Sequence, residues 1–393
     1  MGKKAMKRKL LLAVLTAFLL GLVFFSPVLT GQGEEDFVVY WSALRLLVSG
    51  GDPYDPGAME VTIHSVRPGR AWGRGVAWNL PWLLLLLAPL GWLPFDIAVR
   101  VWLLLNLGLI GWTVLLIWQA FRPDGKGGVV ALVVGLLFGG TLSALQMGQI
   151  TVLVLLALVL CIRWLMAGRD FCAGAILLLA TIKPHLAYFC VFLLLVWTIR
   201  ERRWRVWLGG SVALVAALVL SWLMLPDWLS SYLALMRDAP VLTYSTATLG
   251  GVAQQLWGVG WLRWSGVLLI PLAWPFTRLI ARYGWPISLS LALLISLPLA
   301  PYGFGFDQLM LLPAILLLLT WVLDGRLPPR ETYFLIGGLI AIYSGLFWLL
   351  TLPGLPYHYL AWVPFAIASL YAVLWKRSPL NQFQMTASVG KGA

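Results

Sequence analysis

Three consecutive carboxylates, Glu34, Glu35 and Asp36, lie shortly after the first apolar run of the chain. A carboxylate held in a fixed position can act as a general base and remove the proton of a hydroxyl group. Apolar side chains then recur at helical spacing, which predicts an amphipathic helix that lies along a membrane and ends at Gly50. Asp36 is therefore a candidate base; helix capping, and for the two glutamates a solvated run of charge, are the alternatives. The predicted apolar face comprises Phe37, Tyr40, Trp41, Leu44 and Val48.

A second candidate is Lys183, which stands inside a long apolar run and is followed by Pro184 and His185. An unpaired cation in the membrane interior costs about 3 kcal/mol or more, so a lysine at this depth favours a functional role. It can bind a phosphate or pair with an acid, or its long side chain can reach the membrane surface. Asp307 is expected either to cap a helix or to add a second polar group to the site.

Further polar residues stand near the predicted membrane surface, among them His64 and Arg67 in one long loop and Arg263 in another. Arginine can bind a lipid phosphate, whereas each arginine taken singly is typical of an interfacial anchor. With three histidines and no HExxH sequence, the chain is not expected to be a zinc enzyme. We expect no cofactor, although the three consecutive carboxylates could together hold a divalent metal.

The composition places these residues in a membrane protein. Of the 393 residues, 61% are hydrophobic and 11% are charged, whereas soluble domains carry about 25% charged residues. Soluble globular and disordered chains are thereby excluded, and the formal charge of +13 fits basic loops facing anionic lipid better than nucleic acid. The apolar runs predict an all-α polytopic protein with twelve transmembrane helices, near 10–29, 78–94, 99–119, 129–146, 149–166, 171–198, 206–225, 262–280, 285–300, 305–323, 333–351 and 358–375.

The distribution of basic residues then predicts the sides of the membrane. Lysines and arginines between residues 3 and 9 place both termini in the cytoplasm, and loops 31–77 and 226–261 become extracytoplasmic. Two short loops disagree with this count, and Pro184 interrupts 171–198 as if it were two half-helices. We expect a single transmembrane domain over 1–393 in the cell membrane. Because no nucleotide-binding sequence motif is present, we expect no soluble catalytic domain. The chemistry is therefore expected at the membrane surface, in loop 31–77.

A series of short motifs carries a family resemblance. They are Asp36–Ala43, Gly51–Pro56, Pro81, Ala88–Leu90 with Leu93–Pro94, Gly148–Gln149, Gly168–Asp170, and Ala173–Gly174 leading to Lys183–Pro184. In their order and spacing, and again at Tyr302–Pro313, the chain resembles glycosyltransferase family 87, which comprises polyprenol-phosphate-mannose-dependent mannosyltransferases and relatives. The resemblance implies the GT-C membrane glycosyltransferase fold, a polyprenyl-phosphate-sugar donor, and Asp36 as the catalytic aspartate of the first outer loop. Mannosyltransferases tend to carry histidine in the later motif where this chain has Asp307, which leaves the sugar open.

An independent argument leads to the same reaction. An extracytoplasmic site has no access to cytoplasmic nucleotide sugars, so the activated sugar must arrive on a lipid. We expect mannose or another hexose or pentose to move with inversion to a glycolipid, glycan or protein acceptor, with Asp36 as base and cations stabilising the leaving phosphate. Candidate phosphate-binding residues are Lys183, Arg67 and Arg263, and candidate acceptor- or sugar-binding residues are Asp307, Tyr302, Tyr40, Gln149, His64 and His358.

Two other functions are compatible with the sequence. A transporter or lipid flippase could use Lys183 as an intramembrane substrate site, but transporters commonly contain internal repeats and the two halves of this chain show no convincing similarity. A non-catalytic assembly partner in the cell envelope is the third possibility. Transfer of sugar from a lipid-linked donor, tested with an Asp36 variant, would distinguish the first function from the others.

Overall fold

The computed structural model describes residues 35–68, 75–238, 244–325, 327–352 and 354–375. Within these ranges the chain is helical and contains no strand. Six of the helices described are long and apolar enough to cross a membrane, or seven if one bent pair counts as a single span. An all-α multi-pass membrane protein is thus confirmed, whereas the first predicted span, 10–29, lies outside the described residues.

Contacts divide the chain into two compact units. Among the described residues, unit 1 contains 35–68, 75–108, 145–149 and 225–238, and unit 2 contains 109–144, 150–224, 244–325, 327–352 and 354–375. Helix α4 (Phe95–Phe121) begins in unit 1 and ends in unit 2. The other described helices of unit 1 are α1 (Glu35–Val48), α2 (Pro56–Val66), α3 (Pro81–Leu87, followed by the 3-10 turn Ala88–Trp92) and α11 (Trp228–Asp238).

Helix α1 is confirmed as a helix, but its predicted single apolar face is too narrow. Val38, Ser42 and Ala43, which lie outside that face, are fully buried, and Arg45 is exposed. The extra burial arises because α1 packs against α2 and against α3 with its 3-10 turn, and these partners cannot be read from local periodicity. The position of α1 along a membrane surface stays a prediction.

Unit 2 contains most of the apolar helices. In chain order, those described are α5 (Gly128–Leu137), α6 (Gly139–Gln146), α7 (Thr151–Met166), α8 (Asp170–Ile176, followed by the 3-10 segment Leu177–Ile182), α9 (Pro184–Arg200), α10 (Trp204–Met224), α12 (Leu249–Trp257), the 3-10 segment Gly260–Leu272 with α13 (Ala273–Tyr283), α14 (Trp285–Ser296), the 3-10 segment Gly305–Leu311 with α15 (Leu312–Leu323), α16 (Pro329–Thr351), and the 3-10 turn Tyr357–Leu360 with α17 (Val363–Leu374).

Several predicted spans are shorter or more broken than the hydropathy suggests, so twelve spans are not confirmed. The run 129–146 forms α5 and α6, which bend by 62° at their junction. The run 171–198 breaks before Pro184, as expected, because proline removes a backbone donor and its ring crowds the preceding turn. Apolar helices of 10–17 residues in the described chain are Pro81–Trp92, Thr151–Met166, Asp170–Ile182, Pro184–Arg200 and Trp285–Leu299.

Helices α8 and α10 approach each other through glycine. A Cβ atom added to Gly174 would lie 1.8 Å from the backbone oxygen of Val206, and one added to Gly209 would lie 2.0 Å from that of Phe171. No side chain fits in either place, so the two backbones are in direct contact. Small residues at helix crossings are typical of membrane proteins, where close van der Waals packing holds helices together.

Candidate active site

Asp36 lies in the first turn of α1, at the second residue of the helix rather than before it. Its carboxylate is half-buried, and Oδ2 accepts a hydrogen bond of 2.6 Å from Nε2 of Gln149. The same amide accepts a 3.1 Å hydrogen bond at Oε1 from the Tyr40 hydroxyl, one helical turn after Asp36. Three residues predicted separately from the sequence therefore form one hydrogen-bonded group in unit 1, which we call the Asp36 cluster.

A tight turn places Gln149 in this cluster. Gly148 has a φ of +65°, a left-handed conformation that suits glycine, and a Cβ atom there would lie 2.6 Å from the Cβ of Phe37. The backbone oxygen of Gly148 accepts a hydrogen bond from Trp102 and that of Gln149 accepts one from Asn106, at 2.7 and 2.6 Å. The turn is thus fixed against α1 and α4 by both its shape and its hydrogen bonds.

Arg67, a predicted phosphate-binding residue, also belongs to unit 1. Its guanidinium carbon lies 4.6 Å from the centroid of the Phe95 ring, and the side chain is half-buried. The Phe95 ring in turn packs near Phe37, with 6.3 Å between ring centroids. A cation over an aromatic ring is attracted electrostatically by the face of the ring.

A cavity of about 740 Å³ lies in unit 1 between α2 and α11. This volume falls within the range of small-molecule sites, about 300–1,000 Å³. His64, a predicted acceptor-binding residue, lines the cavity and bonds through Nδ1 to the backbone oxygen of Glu60. Burial, followed by the nearby Tyr232 and Asp52, raises the pKa of the lining residue Tyr54 above its usual range, so its hydroxyl stays protonated. Further lining groups that can bond to hydroxyls are Asp52, Asp55, Glu60, Ser231 and Asp238.

Lys183 and Asp307 form a buried ion pair in unit 2. Nζ of Lys183 lies 2.8 Å from Oδ1 of Asp307, whose side chain is 1% exposed. The Thr151 hydroxyl donates to the same carboxylate oxygen at 2.7 Å and accepts from the ammonium group at 3.0 Å. Oδ2 of Asp307 accepts from the backbone N–H of Phe304, which makes the acid a cap as well as an ion-pair partner. We call these residues the Lys183 cluster.

Two further contacts complete the surroundings of the Lys183 cluster. The ammonium group stands 4.6 Å from the centroid of the Phe306 ring. His185 interacts electrostatically with both members of the ion pair, and its ring stacks on Tyr302 with 3.7 Å between centroids. Among the described residues neither ring nitrogen of His185 has a hydrogen-bond partner. Tyr302, predicted to bind acceptor or sugar, thus contacts His185, which follows Lys183 by two residues.

Arg263 is buried, and its guanidinium group bonds to protein at each nitrogen. Nη2 donates to the backbone oxygen of Tyr244 at 2.7 Å, Nη1 donates to Thr246, and Nε donates to Gln254. His358, predicted to bind acceptor, shares a 3.1 Å hydrogen bond with Ser245. Both residues therefore bond to the segment 244–246, a contact that no sequence pattern predicted.

The structure thus groups the predicted residues into or beside two clusters and leaves four residues elsewhere. The Asp36 cluster and the Lys183 cluster lie in different units. The four other residues are Arg67, Arg263, His358 and His64. Thr151, a member of the Lys183 cluster, and His185 beside that cluster were not predicted. Both could have been suspected, because Thr151 follows Gln149 by two positions and His185 follows Lys183 by two.

The model of glycosyltransferase family 87 matches residues 80–301, more than half of the chain, and the chain therefore belongs to this family. The protein is thus a membrane glycosyltransferase, a class consistent with the GT-C superfamily. The matched region includes Gln149 and Lys183 but begins after Asp36 and ends before Asp307. No curated protein and no solved structure matches the chain.

Proposed function

We propose that the protein transfers a sugar from a polyprenyl phosphate to a hydroxyl group of an extracytoplasmic acceptor, with Asp36 as general base. The observation that carries this proposal is the half-buried Asp36 carboxylate in the first turn of α1, whose Oδ2 accepts a 2.6 Å hydrogen bond from the Gln149 amide. A base must be fixed within hydrogen-bond reach of the proton that it removes.

The proposed reaction is a single inverting displacement. Asp36 takes the proton of the acceptor hydroxyl as the acceptor oxygen bonds to the anomeric carbon from the face opposite the phosphate. The bond between that carbon and the phosphate oxygen breaks, and its electron pair leaves with the polyprenyl phosphate. The proton passes from Asp36 to solvent, which restores the carboxylate. A phosphate leaving group needs electrostatic stabilisation and no covalent assistance.

Of the three basic residues proposed for the phosphate, Arg67 has the most direct structural support. It lies in the same unit as Asp36, and its guanidinium rests on Phe95. Arg263 lies in unit 2 and donates to the backbone oxygen of Tyr244 and to Thr246, and Lys183 lies in unit 2 beside Asp307. We propose that Arg67 contacts the phosphate, that Lys183 contributes positive charge through its cluster, and that Arg263 acts as a structural support.

The cavity beside α2 supports the proposed acceptor. Its carboxylates accept hydrogen bonds from hydroxyl groups, and Tyr54 and His64 add further polar atoms and ring surfaces. Such a lining suits the polyhydroxylated end of a glycan or glycolipid. For Asp307 we propose a positioning role toward Lys183 in place of acceptor contact, because its side chain is 1% exposed.

The test uses full-length protein in proteoliposomes with a panel of polyprenyl-phosphate sugars, hexosyl and pentosyl, and glycan or glycolipid acceptors. We expect transfer with at least one donor, release of polyprenyl phosphate, and loss of transfer in Asp36→Asn. Asp96→Asn is the matched control, because Asp96 is an exposed acid in the first turn of a helix of the same unit. Equal loss in both variants, or unchanged transfer in Asp36→Asn, would contradict Asp36 as the base.

The same assay separates transfer from transport. A flippase would move a lipid-linked sugar across the bilayer without forming a new glycosidic bond, and Lys183→Ala would impair it more than Asp36→Asn. Product formation that depends on Asp36 supports the transferase.

A further inference from the structure

We infer that Gln149 and Tyr40 are positioning residues that hold the Asp36 carboxylate in its reactive orientation through a neutral hydrogen-bond relay. The inference rests on the proposed function and deepens it. The Tyr40 hydroxyl donates to Oε1 of Gln149, and Nε2 of Gln149 donates to Oδ2 of Asp36, at 3.1 and 2.6 Å. Both residues were expected from the sequence to bind acceptor or sugar. Their side-chain contacts indicate instead that they orient Asp36, the proposed base.

The orientation of the Gln149 amide follows from its two partners. A carboxylate can only accept hydrogen bonds when it is ionised, so the NH₂ group of the amide must face Asp36. The amide oxygen then points the other way and needs a donor, which the Tyr40 hydroxyl supplies. A flipped amide would place the Gln149 oxygen against a carboxylate oxygen of Asp36, and the two would repel each other. The relay therefore has one stable direction, from Tyr40 through Gln149 to Asp36.

The relay is fixed at both ends. Tyr40 and Asp36 belong to the same helix, four residues apart, and their side chains therefore lie on one face. The backbone of Gln149 is held independently by Asn106 at 2.6 Å, and the preceding Gly148 is bonded to Trp102. Gln149 is 3% exposed and Tyr40 is 8% exposed, so neither presents much surface to a substrate. The half-buried Asp36 is the member of the relay with more exposed surface.

A neutral donor suits a base better than a cation does. A hydrogen bond to the ionised form fixes the orientation of the carboxylate, whereas a bound cation would also strongly favour ionisation and lower the tendency to accept a proton. Glutamine does not titrate, so the relay keeps the same charge over the whole working pH range.

Other titratable groups lie on α1 and on the elements packed against it, and they must stay unchanged in the test variants. On α1 they are Glu35 and Arg45, and Arg45 donates to the backbone oxygen of Gly91. Arg67 lies over Phe95. Helices α2 and α4 contribute Glu60, His64, Asp96 and Arg100, whereas α3, its 3-10 turn and residues 145–149 contribute none.

The decisive variant is Gln149→Glu, assayed as the pH profile of kcat/KM in proteoliposomes. Glutamate has the same shape as glutamine. Two carboxylates at this distance repel each other when both are ionised, so the pair shares one proton. We expect the acid limb of the profile to move to higher pH by about one unit or more, with activity partly recovered at high pH. A residue with a merely structural role would lower activity to the same extent at every pH.

Two further variants keep the inference testable if Gln149→Glu does not fold. Tyr40→Phe retains the ring and removes only the hydroxyl that orients the amide, so we expect kcat to fall about threefold to tenfold with KM for the donor unchanged. Gln119→Glu adds the same negative charge in unit 2, where Gln119 is exposed beside Arg163. We expect its pH profile to match that of the unmodified protein.

The outcomes distinguish the relay from the function on which it rests. An inactive Asp36→Asn together with a shifted Gln149→Glu profile and a lower kcat in Tyr40→Phe supports both. An inactive Asp36→Asn with an unshifted Gln149→Glu profile, or with unchanged kcat in Tyr40→Phe, overturns the relay and leaves the base in place. Full activity in Asp36→Asn overturns the base itself.

Discussion

Two buried or half-buried aspartates in this protein are bonded in opposite ways. Asp36 in unit 1 accepts from the neutral amide of Gln149, whereas Asp307 in unit 2 accepts from the ammonium group of Lys183 and from the Thr151 hydroxyl. The side chain of Asp307 is 1% exposed, and that of Asp36 is half-buried. Under the proposed function, this difference would separate an acid that exchanges a proton with a substrate from one that holds its surroundings in place.

The two bonded partners differ in charge. The Lys183 ammonium group lies 2.8 Å from the buried Asp307 carboxylate, so removing one charge leaves the other buried without its ion-pair partner. The Gln149 amide that bonds to Asp36 is uncharged. Under the proposed function, we therefore expect substitution of Asp36 to affect mainly catalysis and substitution of Asp307 to affect mainly stability.

The largest effect is expected from Asp36→Asn. Loss of a general base typically lowers a rate by about 10²–10⁴-fold, and asparagine keeps the shape of the side chain, so melting in detergent should change little. The measurement is kcat/KM for sugar transfer beside a thermal melting curve. If Asp36→Asn greatly lowers the melting temperature but hardly lowers the rate per folded molecule, then Asp36 is a structural acid, as proposed for Asp307.

Asp307→Asn should show the opposite balance. It leaves the Lys183 charge buried without its ion-pair partner, and breaking such a pair typically costs about 3–5 kcal/mol of stability. Lys183→Met should cost a similar amount. The double variant should cost less than the sum of the two, because no unpaired charge remains in it. Additive losses in the melting curves would argue against direct coupling of the pair.

Gly148→Ala tests how the turn supports the Asp36 cluster. A non-glycine residue in the left-handed region costs about 1–2 kcal/mol, and here the new Cβ would also lie 2.6 Å from Phe37. Gly125→Ala is the matched control, since Gly125 has the same φ of +65° with no atom within 4 Å. Both variants should lose stability, but only Gly148→Ala should lower kcat. If both variants change kcat equally, the turn at Gly148 does not specifically support Asp36.

The smallest effect is expected from Arg67→Lys. Lysine keeps the charge but loses the planar group that stacks on Phe95. We expect the KM for the lipid donor to rise severalfold at an unchanged melting temperature. Arg237→Lys is the control, because Arg237 is exposed and contacts only its neighbour Asp238 among the ion pairs described. A KM unchanged in Arg67→Lys would favour another cation for the phosphate.

Local patterns predicted individual elements and polar residues well but not their partners. The spacing of apolar residues after Asp36 predicted α1, and the buried Lys183 predicted an anionic partner. That partner, Asp307, is 124 positions further along the chain, and no local pattern connects the two. Gln149 was recognised as polar, yet its bond to a carboxylate 113 positions earlier depends on the turn at Gly148. Hydropathy detected apolar runs but not the bends and breaks that divide them.

The glycine crossing of α8 and α10 has a practical consequence. Its backbones touch at Gly174 and Gly209 with no room for a methyl group, and contact of this kind depends on shape and owes little to the exclusion of water. Replacing lipid by a mild surfactant should therefore leave it intact during purification. This helix pair offers a rigid reference for attaching spectroscopic probes when movements elsewhere in the protein are measured.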